Sequence, residues 1–243
     1  VLDKAYIRFR ENIPDNANTY AAAEGFHIQG IPVVPFYGFG DLNLENMPDL
    51  GPTTIVCGNI GDVWEALKLM GKPVPQPYDY PEHLEWMLGR KVEFTTLEQV
   101  RALITRKFLK PVKQKLFGGF VYDPLDPRSR LAVAPYPDDT PCIISDEVDF
   151  VSEYRCFVRH DQPCGVRHYR GDAFTPISKA VYNKALKCSK GKMPAAYAMD
   201  LGVTAQGETL LVEINDGHSV GSYGLTGLVY ARFLEARWDE MTR

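Results

Sequence analysis

The stretch Leu211-Val212-Glu213-Ile214-Asn215-Asp216-Gly217 decides how this chain reads, together with Tyr197-Ala198-Met199-Asp200-Leu201-Gly202-Val203 just before it. Both segments read as strands joined across a Gly-containing turn, which predicts a β-hairpin. Side chains alternate between the two faces of a strand, so Glu213 and Asn215 project from the same side. Asp200, on the partner strand, can be added to that side. Two carboxylates and one amide carbonyl make an all-oxygen cluster, the donor set that Mg2+ takes together with water and substrate phosphates. An isolated E-x-N pattern would more simply be the solvated face of a hairpin. The segments upstream weigh against that.

Composition sets the frame. The 243 residues are 45% hydrophobic and 24% charged, ordinary values for a globular chain with a sizeable core, in one large or two modest bodies. A net charge of -4, with no long Lys/Arg cluster, gives no nucleic-acid footprint. No apolar run approaches membrane-spanning length, and no signal peptide is expected, since Val1 to Arg10 already alternates like a first strand. Cys57, Cys142, Cys156, Cys164 and Cys188 are odd in number, scattered and without C-x-x-C spacing. They read as reduced thiols of a cytoplasmic protein, forming neither a disulfide framework nor a zinc site.

Along the chain, strands are expected at Ala5 to Phe9, Ile31 to Phe36 and Thr53 to Cys57, with helices at Tyr20 to Gln29 and Asp62 to Met70. That alternation is an α/β layer arrangement. The Pro-rich run Gly71-Lys72-Pro73-Val74-Pro75-Gln76-Pro77 marks a boundary. Short helical patterns follow at Glu82 to Leu88 and Thr96 to Ile104, the second with Thr95 or Thr96 as its N-cap. A strand at Lys107 to Val112 leads through Gly118-Gly119 into another ending at Tyr122. Asp123 to Arg130 and Tyr136 to Thr140, dense in Pro and Asp, read as loops. From Cys142 the order is three strands, a helix (Ser178 to Lys187), the hairpin and a closing helix (Leu225 to Met241). In that helix Leu228, Ala231, Phe233, Leu234 and Trp238 fall near helical spacing, as core residues do.

Two further segments carry chemistry. Lys107-Phe108-Leu109-Lys110-Pro111-Val112-Lys113-Gln114-Lys115-Leu116-Phe117-Gly118-Gly119-Phe120 ends a strand in lysines and then turns on glycines. Exposed amides beside ammonium groups suit a polyphosphate, although a lysine-rich strand end also serves to block edge pairing. Next, Ile143-Ile144-Ser145-Asp146-Glu147-Val148-Asp149-Phe150 makes a short acidic bend before a β-forming run that contains Arg155. An arginine on a mostly buried strand needs an anionic partner, either internal (Glu153 or Glu147) or a phosphate. Arg170, at the end of the next strand, invites the same two readings.

The order of these segments is strand-Lys-Pro-Gly turn, acidic hinge, E-x-R strand, D-x-G-V strand, E-x-N strand. In that order the chain resembles the ATP-grasp superfamily, and most nearly its small clade marked by one arginine and two lysines. The resemblance runs over essentially the whole chain, most strongly from Leu88 to Trp238. It implies an α/β (α+β) fold: an N-terminal α/β unit over 1–77, then an ATP-grasp clamp over 78–243 with lobes 78–144 and 145–243. By that resemblance Lys110 contacts the α- and β-phosphates of ATP, and Arg90 or Lys91 is an earlier phosphate-facing base. Ser145, Asp146, Glu147 and Val148 form the hinge at the adenine, with Glu147 near the ribose. Arg155 lies near the γ-phosphate, and Asp200, Glu213 and Asn215 hold Mg2+, or Mn2+ in its place. Two departures stand out. The Gly loop is short and carries Lys115, and the hinge lacks the commoner Gln/Glu-aromatic pair.

The implied reaction is ATP-dependent ligation of a carboxylate to an amine through an acylphosphate, the substrates being an amino acid, a peptide or another small molecule. A small-molecule kinase on the same scaffold, or a nucleotide-binding module without turnover, are the rival readings. His218, Ser219 and Tyr223 follow the metal strand in a Gly-rich loop, either shaping an acceptor pocket or making a structural turn. His27, His83 and His160 read as surface or packing residues.

Overall fold

A computed structural model describes residues 1–243, the side chain of Phe39 aside. In the N-terminal layer, β1 (Lys4–Arg10) turns through Glu11 and Asn12 into the short β2 (Ile13–Pro14). Both turn residues have positive φ, 49° and 70°, as a two-residue hairpin of the right twist requires. Helix α1 (Ala17–Ile28) begins earlier than its apolar spacing predicts. The reason is Asn16, whose side-chain oxygen takes the amides of Asn18 and Thr19 while the Thr19 hydroxyl takes the amide of Asn16. Strands β3 (Val33–Phe36) and β4 (Thr54–Cys57) flank β1 in parallel, and α2 (Ile60–Leu69) follows.

The middle of the chain differs from expectation in three places. The pattern at Glu82–Met87 forms a 3-10 turn. The one at Thr96 to Ile104 splits into a strand, β5 (Val92–Thr96), and a single helical turn, α3 (Leu97–Arg101). After β6 (Lys107–Pro111) and β7 (Phe120–Tyr122), the expected loop at Asp123 to Arg130 runs into a helix, α4 (Pro127–Val133). Asp126 caps it by accepting the amide of Arg128, and Pro127 occupies the first helical position, where its missing N–H costs nothing. With β8 (Pro141–Ser145) these strands form an antiparallel sheet of order β5-β8-β6-β7, packed through Leu97, Val100, Leu109, Tyr122 and Val133.

The third sheet is also antiparallel, in the order β10-β9-β11-β12, from β9 (Phe150–Arg159), β10 (Gln162–Gly171), β11 (Ala196–Thr204) and β12 (Thr209–Asp216). One face buries Cys156, Val158, Tyr197, Met199 and Leu201 against α5 (Lys179–Ser189) and against Leu84, Met87 and Leu88. The segment before β5 therefore packs on this sheet rather than on the middle one. The other face carries Phe157, Ala196 and Ala198 under α6 (Gly227–Thr242), with Phe157 and Phe233 edge to face at 5.4 Å. Further along that face the apolar residues give way to charged ones. Among the described residues no helix is long and apolar enough to cross a membrane.

Helix α6 also packs on α1, which joins the N-terminal layer to the third sheet. The crossing is tight at two glycines: a Cβ on Gly25 would lie 2.0 Å from the Gly227 carbonyl oxygen and 2.6 Å from the Ala231 Cβ. Gly25→Ala gains about 1 kcal/mol of helix propensity and incurs overpacking of about 1–3 kcal/mol. With backbone as the obstacle the second effect prevails. The variant is expected to unfold at lower urea concentration than the wild type, and a raised midpoint would show that the two helices can part without cost.

Candidate active site

Strict alternation would put Leu211, Glu213 and Asn215 on one face of β12. A β-bulge separates them: Asp200 pairs with Glu213, but Leu201 pairs with Leu211, leaving Val212 unopposed. Leu211 thereby faces the α5 core while Glu213 and Asn215 face the other way, beside Asp200. The bulge frees backbone carbonyls, and Arg90 takes them. Its guanidinium donates to the carbonyl oxygens of Leu211 (2.8 Å), Val212 (3.1 Å) and Leu88 (2.9 Å). A second bulge, on β10, leaves Tyr169 unpaired between His168 and Arg170. Its hydroxyl donates to Glu153 at 2.6 Å and its ring stacks on Tyr223 at 4.9 Å.

Alternation along β9 places Phe157, Arg155 and Glu153 on one face, so the charged residues begin where α6 stops. Arg155 is buried and holds Asp200 with two hydrogen bonds, 2.8 and 2.6 Å. Its guanidinium lies 4.7 Å from the Tyr223 ring centre and 5.9 Å from that of Tyr169. The Asn215 amide nitrogen donates to Asp200 and to Glu213, at 3.1 Å each. Glu213 accepts from Lys110 at 3.0 Å, and Lys110 also reaches Asp79 at 2.5 Å. Burial pushes the Asp200 carboxyl up to about 6, against the pull of Arg155. Burial works the same way on Glu213, but the Lys110 ammonium outweighs it and holds that carboxyl below its ordinary value. Lys110, although burial opposes its charge, is kept well above its ordinary value by Glu213, Tyr80 and Asp79.

Lys110 reaches this cluster from the middle sheet. To one side of it lies a cavity of about 360 Å³ walled by Phe108, Phe120, Phe150 and Tyr80, with Ser145, Asp146, Glu147 and Val148 along its edge. To the other side a cavity of about 370 Å³ runs under the glycine loop, between Lys115, Gly118 and Gly119 and the residues Asn215, His218 and Ser219. A third, of about 410 Å³, shares Lys115, Ser219 and Val220 with it and reaches Asn16, Asn18 and Asn59 of the N-terminal layer.

The structure thus gathers Lys110, Arg155, Asp200, Glu213 and Asn215 into one cluster and sets the hinge residues along a cavity beside it. Other expected residues are placed differently. Arg90 borders the aromatic cavity but spends its donors on the bulge carbonyls. Lys91 is paired with Glu93, exposed, and lines none of the three cavities. Arg170 is paired with Glu153 at the rim. Arg155 has an internal partner, but it is Asp200, while Glu147 pairs with Arg106 and Glu153 with Tyr169 and Arg170. Lys115 is exposed, with φ of 63°, between two cavities. Asp79 and Tyr80 are absent from the sequence reading, in which the Pro-rich run served only as a boundary. The alternation in Tyr78-Asp79-Tyr80 just after it was the available signal.

Beyond the cluster, Asp216 turns to the opposite face, where Arg237 and His218 hold it. Its carboxyl is drawn down to about 2 against the upward pull of burial, His218 at 2.7 Å and the two Arg237 contacts at 2.8 and 2.7 Å supplying the pull. His218 Nε2 accepts from the indole N–H of Trp64, so its proton sits on Nδ1. In this arrangement His218 is a strap between β12 and α2.

The donor set fits a hard divalent cation. Among the described residues no three His, Cys, Asp or Glu side chains form a metal cluster, and the third donor here is an amide. The Asn215 amide lies between two carboxylate oxygens, and a half-turn of its terminal group exchanges the N–H donor for an oxygen ligand.

Comparison with known proteins agrees with this geometry. No curated protein matches the chain by sequence. Among solved structures it is similar to the D-cycloserine synthetase DcsG (TM-score 0.60, 14% identity, covering 96% of this chain and 99% of that one). It is similar to the D-alanine–D-alanine ligase of Bacillus anthracis in complex with ATP (0.58, 13%, 98% and 95%). It is also similar to the ATP-grasp ligase PsnB in complex with a minimal precursor (0.53, 13%, 99% and 99%). At these identities the likeness is one of fold. The family model of an ATP-grasp domain, the second family of the clade named for one arginine and two lysines, matches residues 87–233. That span is more than half of the chain and includes both lysine and arginine of the cluster and all three of its oxygen donors, and the protein belongs to this ATP-grasp family.

Proposed function

We propose that the cleft binds ATP with Mg2+, or Mn2+ in its place, and that the protein joins a carboxylate to an amine through an acylphosphate. One observation carries this reading: an unbroken chain of hydrogen bonds, Lys110–Glu213–Asn215–Asp200–Arg155, lies between an aromatic cavity and a glycine loop. The aromatic cavity takes the adenine, whose polar edge meets the backbone of Ser145 to Val148, with Glu147 toward the ribose. The phosphates pass Lys110 toward the amides of Gly118 and Gly119, with Lys115 at the loop and Arg155 nearest the γ-phosphate. A divalent cation on Asp200, Glu213 and Asn215 supplies charge neutralisation at the β- and γ-oxygens.

The substrate carboxylate attacks the γ-phosphorus, the bond to the bridging oxygen breaks, and ADP leaves. The amine then attacks the acyl carbon, phosphate leaves with the bonding pair, and the amine loses a proton. Lys110 and Arg155 act by position and charge, so no side-chain nucleophile is needed. The third cavity, with amide and hydroxyl walls and a single ammonium from Lys115, is the place for the substrates. Solved neighbours described as a D-alanine–D-alanine ligase and as a ligase bound to a peptide precursor support an amino acid or a peptide there. Release of ADP and phosphate with an amide product is the expected result when amino-acid and peptide pools are screened. A phosphorylated product would instead mark a kinase.

Lys110→Ala is expected to weaken nucleotide binding about ten- to a hundredfold, because a charge-assisted contact of roughly 1.5–3 kcal/mol is lost. Calorimetry showing unchanged affinity would remove Lys110 from the phosphate site.

Glu213→Gln and Asn215→Asp should part company. The first takes a charge from the metal and is expected to cut ADP release by orders of magnitude with the fold intact. The second sets a third carboxylate against two others and loses two hydrogen bonds. Asn215→Asp should therefore melt below the wild type in EDTA, by about 1–3 kcal/mol, and recover with Mg2+ more than the wild type does. Equal melting of Asn215→Asp and wild type in EDTA and in Mg2+ would rule out a cation at this amide.

A further inference from the structure

Lys110 has three N–H donors, and in this structure its surroundings already use them. Glu213 takes one at 3.0 Å, Asp79 another at 2.5 Å, and the Tyr80 ring closes the remaining side, its centre 4.8 Å from Nζ. A phosphate can reach this ammonium only if a carboxylate leaves. The two carboxylates are held differently. Glu213 projects from a sheet strand and belongs to the oxygen cluster a cation would occupy. Asp79 comes from the connector that follows the Pro-rich run. Its backbone sits in the left-handed region, φ 40°, and its carbonyl accepts the Ile214 amide at 2.9 Å, an isolated bridge beside β12. That bridge sets the Asp79 side chain next to Glu213, within the glycine-loop cavity.

The charges decide what the cleft admits. Lys110 and Arg155 give two positive charges, and Asp79, Glu213 and Asp200 give three negative ones. The balance is one negative charge at the place where a polyphosphate must lie. A cation arriving with the nucleotide takes Glu213, which frees one N–H of Lys110 for phosphate while Asp79 keeps its contact. A metal-free polyphosphate has no such exchange: it meets two carboxylates on the one lysine it needs. On the reading of this cleft as a nucleotide site, we propose that Asp79 is a specificity-determining residue that occupies a phosphate position on Lys110 and excludes metal-free nucleotide. A contact that only steadied Lys110 would not require a second carboxylate, since Glu213 and Tyr80 already confine it.

The test is calorimetric titration of ADP and of inorganic pyrophosphate into wild type, Asp79→Asn and Asp79→Ser, each in EDTA and in excess Mg2+, with folding checked by circular dichroism. Removing one of two like charges about 4 Å from a phosphate is expected to tighten metal-free binding by about tenfold or more. Affinity in Mg2+ should change by less, so the dependence of binding on metal shrinks in the variants. Metal-free affinity that is unchanged or weaker in a folded variant, while wild type binds Mg·ADP, overturns the proposal and makes Asp79 a strut for Lys110. Wild type that binds no nucleotide with or without Mg2+ overturns the nucleotide reading itself, and this inference with it. The serine variant keeps the test decisive if the asparagine variant fails to fold.

Discussion

Five side chains from two sheets share one set of hydrogen bonds, and the rest of the molecule is arranged around keeping them together. Lys110 and Arg155 are buried, as is Asp200, and an unpaired ion in that setting would cost several kcal/mol. Each is therefore tied to an opposite charge, with Asn215 joining the two carboxylates. Because Lys110 belongs to β6 and Arg155 to β9, the same bonds tie the middle sheet to the third one. The two bulges serve this cluster. Without the one at Val212, Leu211 and Glu213 would share a face, and either a leucine would enter the charged cluster or a carboxylate the α5 core. Arg90 is committed to that bulge because carbonyls freed from a ladder need donors.

The far side of the cleft is held just as specifically. The loop after β12 is fixed to the N-terminal layer and to α6 at once. Asn18 accepts the amide of Ser222 at 2.8 Å, the Ser219 hydroxyl donates to the Gly58 carbonyl at 3.2 Å, and Tyr230 donates to the Val220 carbonyl at 2.6 Å. The glycine crossing of α1 and α6 sets the distance over which those bonds can form. Packing far from the charged cluster thus determines the height of the loop that walls two of the cavities.

Much of this was legible in the sequence, and what was not has a physical reason. Period-two alternation places Glu213 and Asn215 together, and the strand-end lysine before a glycine turn picks out Lys110, because both signals are local. The α4 helix was equally local: Asp126-Pro127 is a capping residue followed by a first-turn proline, outweighed there by the Pro and Asp density around it. Bulges are another matter. Nothing in Leu210 to Asn215 announces that Val212 is unopposed, since the extra residue is defined by the partner strand. The partner of Arg155 was likewise sought among its sequence neighbours, Glu153 and Glu147. Asp200 lies 45 positions away and becomes adjacent only through the β9–β11 register. Asp79 was hidden by a proline run that reads as a linker whether or not the residues after it pair with anything.

A cluster satisfied in this way has a consequence for how a ligand enters. An empty site made of unpaired ions would be costly to fold, so the protein uses its own charges as provisional partners: Arg155 for Asp200, Lys110 for Glu213, and the Asn215 amide between the two acids. Arrival of a cation and an anion is then an exchange of partners, with each internal bond given up as an external one forms. Affinity is reduced by what is surrendered, but the geometry is set in advance, and hydrogen-bonding groups that are already oriented need little reorganisation when charge develops. Stability of the empty fold and readiness for a charged ligand are here properties of the same five side chains. The alternation that turns Phe157 toward α6 and Arg155 toward the cleft gives one strand both tasks.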